Sequence, residues 1–243
     1  MVPSSIIWII TGTFLVSVLG TVAGFGISTT LIPIMLLFFP VPQTLVVVGV
    51  VHWFNDIWKL TLFREGIRWD LILYFGLTGS VLSFTGAKLS LSVPQTLLSR
   101  VIGGLILSYV IFLYLKPEFK VREGKKNALL GGGLYGLSAG LSGIGGAIRT
   151  AFLSGFDLKK KVFIATAGAI SLIIDTTRIT TYILGGTRLE PSLMWGMLGF
   201  IPASLLGAYT AKHLIVKKIP QQKFRPVIAV FLAAAALKLL LFP

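Results

Sequence analysis

The chain of 243 residues is 55% hydrophobic and only 12% charged, with a mean hydropathy of +0.90, whereas soluble domains carry about 25% charged residues and need far less apolar surface. Its formal charge of +14 comes from 22 Lys and Arg against 8 Asp and Glu; these basic residues lie mainly between apolar runs rather than on one face, so they read as topology signals and not as a nucleic-acid surface. The absence of cysteine excludes disulfides, thiolate metal ligands and thiol chemistry, and two histidines are too few for a structural zinc site, so no cofactor or metal is expected.

The apolar residues fall in runs of roughly 20, the length a helix needs to cross about 30 Å of hydrocarbon. None alternates apolar and polar residues as the strands of a membrane barrel do, so helices must satisfy the backbone. In chain order the runs cover about 5–39, 44–63, 70–89 and 96–115, then 128–156, 162–184, 192–215 and 226–242. Residues 1–5 hold no Lys or Arg, so the first run is read as structure rather than as a cleaved signal. The pattern is four segments twice: a first transmembrane repeat over 1–116, a basic cytoplasmic linker at 117–126, and a second transmembrane repeat over 127–243.

A shift of about 119 residues brings the halves into register, which marks an internal duplication. Gly24-Phe25-Gly26 falls on Gly143-Ile144-Gly145, Gly76 and Gly79 on Gly196 and Gly199, Gly86-Ala87 on Gly207-Ala208, and Pro94-Gln95 on Pro220-Gln221. Each match is weak alone, and their order carries the inference.

As one helix the 35 residues of 5–39 would be about 52 Å long, so the helix must break. The glycines Gly24 and Gly26, and in the second half the stretch from Ser142 to Gly146, are the places for it. Each half then starts with a re-entrant helical hairpin followed by three transmembrane helices. With hairpins, the loops at 64–69, 116–126, 158–161 and 212–225 share one side and hold 15 basic residues against 4 opposite; with eight plain crossings the division is 9 against 10. The positive-inside rule prefers the hairpins, makes the basic loops cytoplasmic and puts both termini outside. The two halves then insert upside down relative to each other, as inverted repeats do in secondary transporters that bind substrate where broken helices meet.

Three basic residues remain inside apolar segments: Lys59, Arg149 and Arg178. A charge at the centre of a spanning helix costs about 2.5 to 3.5 kcal/mol on insertion scales, so each calls for a partner or a purpose. Lys59 and Arg178 are repeat equivalents, and each follows an aspartate by three residues, Asp56 and Asp175. At that spacing the charges share a helix face, either as a structural ion pair or as part of a ligand site. Arg149 follows the second break, where glycines free backbone N–H groups and a helix restarts, a setting suited to an anion. The matching stretch of the first half supplies hydroxyls, Ser28, Thr29 and Thr30. The same glycines also serve close helix packing. The expected substrate-binding set is thus Arg149, Lys59, Arg178, Gly24, Gly26, Ser28, Thr29, Thr30, Ser142, Gly143, Gly145 and Gly146. Asp56, Asp175 and His52, one turn before Asp56, are the candidates for proton or cation coupling, although the repeat equivalent of His52 is Ser171. Trp53, Trp58, Trp69 and Trp195 read as interfacial or packing aromatics.

The duplicated glycine motifs, with Pro33 after the first, the stretch Gly66-Ile67-Arg68-Trp69-Asp70, and the pairs Gly86-Ala87 and Gly207-Ala208 followed by Pro94 and Pro220, resemble the TauE/SafE sulfite exporter (TSUP) family over nearly the whole chain. Departures are Ile27, where the family motif has a further glycine, and Phe152, where proline is frequent. The resemblance implies export of sulfite or a related sulfur-containing anion, such as an organosulfonate, across the cell membrane. Only the two glycine motifs carry over from the family; the charged residues are read from this sequence. Together these features lead to an anion transporter working by alternating access, with a small anionic substrate and the lipid bilayer as its partners. An anion channel remains as the alternative. A non-transporting membrane anchor or an intramembrane enzyme subunit is the other class. No metal-ligand set, nucleophile with a base at useful spacing, or phosphate-binding loop supports an enzyme.

Overall fold

The computed structural model describes residues 4–23, 26–63, 66–115, 119, 121–216 and 225–242, which form an all-helical, multi-pass membrane protein. The first half holds α1 (Ser4–Ala23), α2 (Ser28–Met35), α3 (Val41–Leu62), α4 (Trp69–Ser92) and α5 (Gln95–Leu115). The second holds α6 (Lys125–Ser142), α7 (Gly146–Leu153), α8 (Lys160–Leu184), α9 (Pro191–Val216) and α10 (Arg225–Leu241). Prolines set several starts: Pro40 and Pro42 frame that of α3, Pro94 precedes α5, and Pro191 opens α9, where a missing N–H costs nothing. Among the described residues, five stretches are long and apolar enough to span: Val41–Leu62, Trp69–Ser92, Gln95–Phe112, Lys160–Leu184 and Pro191–His213. Their outer faces carry exposed Leu73, Leu77 and Val81 on α4 and Met194, Trp195 and Leu198 on α9, the arrangement lipid requires.

Both long apolar runs are broken where the glycines stand, and both fold back on themselves. After the first break the chain returns along α1: Gly20 packs against the Gly26 carbonyl, and Ile34 reaches Gly12. After the second it returns along α6, with Gly145 against Tyr135 and the Phe152 ring against Gly131. Gly26 and Gly143 hold φ of 84° and 72°, a left-handed backbone that L side chains rarely adopt. Ser142 pins the second turn, donating from Oγ to the Ser138 carbonyl (2.8 Å) and accepting from the Ile144 N–H (3.2 Å). Gly24 lies outside the described residues.

The main helix pairs of the two halves correspond. Helix α4 packs on α6 as α9 packs on α1, and α4 on α8 as α9 on α3, while the pairs α3–α8 and α5–α10 each join a helix to its own counterpart. The duplicated glycines lie at these seams. Gly86 meets the backbone of α6 at Leu137 and Leu141, and Gly207 meets α1 at Phe14 and Ser17. Along α6, Gly132, Gly136 and Gly140 form a stripe that touches the backbone of α4 at Phe75, Gly79 and Ser83. Small residues at this period let helix backbones meet without a hydrophobic driving force. The central pair, α3 and α8, is enclosed by the others and carries nearly all the buried charge.

Candidate functional site

Among the described residues the buried charged side chains are Asp56, Lys59, Arg149, Asp175 and Arg178, with His52 beside them. The Asp-x-x-basic pattern makes two ion pairs, Lys59 Nζ to Asp56 Oδ1 at 2.9 Å and Arg178 Nε to Asp175 Oδ1 at 2.7 Å. Each pair stands opposite a glycine of the other half. Gly49 on α3 lies against Ile179 and the Arg178 guanidinium, and Gly168 on α8 lies against Asp56 and Lys59. These glycines are themselves repeat equivalents, 119 positions apart. They had no role in the sequence reading, because only the crossing of α3 and α8 shows what they face.

His52 joins the two pairs. Its Nδ1 lies 2.6 Å from Asp175 Oδ2 and 3.1 Å from Asp56 Oδ2. Both carboxylates are held by a cation, so Nδ1 must donate, and one hydrogen serves one oxygen. It goes to Asp175, and Asp56 Oδ2 has no hydrogen-bond partner. The other ring nitrogen, Nε2, lies against Gly26 at the first break. Sequence spacing linked His52 to Asp56 one turn away; the shorter contact, to the other half, is visible only in three dimensions.

The breaks themselves meet in a small cavity lined by Ser28, His52, Tyr135, Gly143, Gly145, Gly146, Asp175 and Arg178. Ser28 Oγ and Arg178 Nη1 are buried and have no hydrogen-bond partner, a state that costs about 1–3 kcal/mol for each group unless something else supplies the bond. Arg149 faces a second cavity with Lys59, Asp56, Gly20, Thr21 and Gly168, where Thr21 Oγ1 is also unpartnered. Its guanidinium reaches Ser171 and the Ala167 carbonyl of α8 and lies 5.4 Å from the Tyr135 ring, whose hydroxyl is 2.7 Å from Ser171 Oγ. Each cavity holds about 10 Å³, the volume of one water at most.

The expected site residues thus divide. Ser28, Gly143, Gly145, Gly146 and Arg178 share the cavity between the breaks, Lys59 and Arg149 share the other, and Gly26 backs His52. Thr29 and Thr30 are buried beside them but line neither cavity, and Ser142 is occupied in shaping the turn. Tyr135 and Thr21 went unnoticed in the sequence, since a lone tyrosine or threonine in an apolar helix has no signal until its neighbours are known.

Two broken hairpins meeting over a buried, charge-rich centre are an arrangement that secondary transporters use to bind substrate. The chain is a member of the sulfite exporter TauE/SafE family, whose sequence profile matches residues 9–239. No individual protein of curated function matches it.

Proposed function

We propose that this protein exports a small sulfur-containing oxyanion, sulfite or an organosulfonate, across the cell membrane, with the substrate held between the two breaks. The observation that carries this reading is the pair of orphaned buried donors, Ser28 Oγ and Arg178 Nη1, at one cavity with the glycines of the second break. Donors without acceptors are what an oxyanion site holds in its empty state, and the N-terminal end of α7 adds further N–H groups. Arg149 and Lys59 form the second basic surface on the path. Cavities of about 10 Å³ fit no oxyanion, so this conformation is closed, and transport requires the halves to rock apart. The duplicated packing supports inverted repeats moving about α3 and α8.

The test is saturable uptake of labelled sulfite into proteoliposomes, with methanesulfonate and thiosulfate as competitors. In Arg149→Ala the flux is expected to fall at least about tenfold, since an arginine donating to an anion contributes about 1.5–3 kcal/mol. Normal flux in a variant that elutes as wild type removes Arg149 from the path, and no flux of any anion in the wild type removes the transporter reading.

A further inference from the structure

Outside the charged centre, the surface between α4 and α8 opens into a groove of about 570 Å³, lined on α4 by Phe84, Lys88 and Leu91 and on α8 by Thr177, Thr180 and Thr181. Packing closes both of its ends. Gly76 and Gly79 meet Ile173 and Ile174 at one, where Ser83 Oγ also donates to the Ile174 carbonyl (3.2 Å), and the Leu91 side chain reaches Gly185 at the other. Among the described residues the lining has one cation, Lys88, which is exposed, rests its Nζ 5.3 Å from the Phe84 ring centre and makes no ion pair with them. We propose that this groove binds an anionic phospholipid, with the phosphate on Lys88 and the acyl chains along Leu77, Val81 and Phe84, which are exposed on α4.

Depth, charge and lining each fit that ligand. From Trp69, exposed at the other end of α4, to Lys88 the helix rises about 28 Å at roughly 1.5 Å per residue, close to the ~30 Å of a bilayer's hydrocarbon core. With Trp69 in one interface, the Lys88 ammonium stands at the phosphates of the other leaflet, its stem lying on apolar surface. Among the described residues no acidic side chain lines the groove; Glu65 and Glu118, outside them, adjoin in sequence the helix ends on the opposite side. A zwitterionic headgroup brings an ammonium that finds no anion here, whereas an anionic headgroup brings none. The hydroxyls serve the phosphate and ester oxygens. Those of Thr177 and Thr181 donate to carbonyls one turn back, which keep their helical N–H partners when the hydroxyl hydrogen turns outward. A second copy of the chain is a poorer occupant, because a two-fold contact across the groove brings Lys88 toward its own copy. The repeat counterpart of the groove lacks these features. Trp58, before Lys59, stands where Thr177 stands before Arg178, and Tyr209, after Gly207-Ala208, stands where Lys88 follows Gly86-Ala87. The site therefore belongs to one leaflet only.

The experiment is native mass spectrometry of the full-length protein, delipidated in detergent and then offered equal amounts of phosphatidylglycerol and phosphatidylcholine with the same chains. The expected result is retention of phosphatidylglycerol in preference to phosphatidylcholine, with a drop of at least about fivefold in that ratio in Lys88→Ala, since a charge-assisted contact to the phosphate is lost. Thr177→Trp, which gives the groove the residue its counterpart holds, is expected to expel the lipid with Lys88 still present. Arg100→Ala removes an exposed cation that does not line the groove, and is expected to leave the ratio unchanged. Equal retention of the two lipids, an unchanged ratio in Lys88→Ala, or an equal drop in Arg100→Ala each overturns the proposal. So does displacement of the lipid by soluble glycerol phosphate, which makes the ligand a free anion, and so does a lipid-free dimer that Thr177→Trp splits, which puts a second copy over the groove. If Thr177→Trp does not elute as wild type, the Lys88→Ala and Arg100→Ala ratios decide alone.

Discussion

At the scale of single residues, the buried pairs are held by mutual necessity. Asp175 accepts from Arg178 Nε and from His52 Nδ1, and removal of the arginine leaves a buried carboxylate with one neutral donor. Breaking a buried ion pair from one side costs about 3–5 kcal/mol, whereas removing both charges together is far milder. Arg178→Gln alone should therefore lower the thermal midpoint of the detergent-purified protein strongly, and Asp175→Asn with Arg178→Gln should recover most of the loss. The double variant should still not transport, because the donor facing Ser28 has changed; recovery of both stability and flux would mean that the pair is structural only. Sequence spacing gave both Asp-x-x-basic pairs correctly because i and i+3 residues share a helix face whatever the tertiary fold.

Between helices, glycine does the work that hydrophobic burial does in soluble proteins. Gly136 lies so close to Gly79 that a Cβ there would collide with the Gly79 carbonyl backbone, and Gly132 and Gly140 make the same kind of approach one turn away on either side. Backbone cannot yield as a flexible side chain can, so Gly136→Leu should force α4 and α6 apart at a cost of about 3 kcal/mol or more. The check is size-exclusion elution and thermal midpoint against Gly104→Leu, whose added side chain starts in open space. Equal behaviour of the two variants contradicts the tight seam. The second break follows the same logic: positive φ at Gly143 ends α6 where a residue with a side chain would continue it, and Gly26 takes the same left-handed backbone just before α2.

Across the whole molecule, the duplicated packing and the distribution of basic loops bear on orientation. The loops at 64–69, 116–126, 158–161 and 212–225 should be cytoplasmic, and the loop at 185–190, together with both termini, outside. The chain has no cysteine, so single-cysteine variants need no prior engineering. In intact cells a membrane-impermeant maleimide should label Gly186→Cys, while Gly124→Cys should react only after the membrane is opened. The reverse pattern inverts the assigned orientation, and labelling of both from outside removes the hairpin topology.

The sequence by itself determined the five apolar spans of the described residues, the two breaks and which charges share a helix face. Each depends on local chemistry: apolar length against bilayer thickness, glycine backbone freedom, and helix periodicity. The structural ends of α3, α4, α8 and α9 fall within a few residues of the hydropathy segments for that reason. Only the tertiary structure decided that His52 bonds first to Asp175, that Gly49 and Gly168 stand opposite the charges of the other half, and that Arg149 and Arg178 face separate cavities. These contacts join residues some 110–130 positions apart across the α3–α8 crossing or depend on which way a short helix turns after a break, and no local periodicity encodes either.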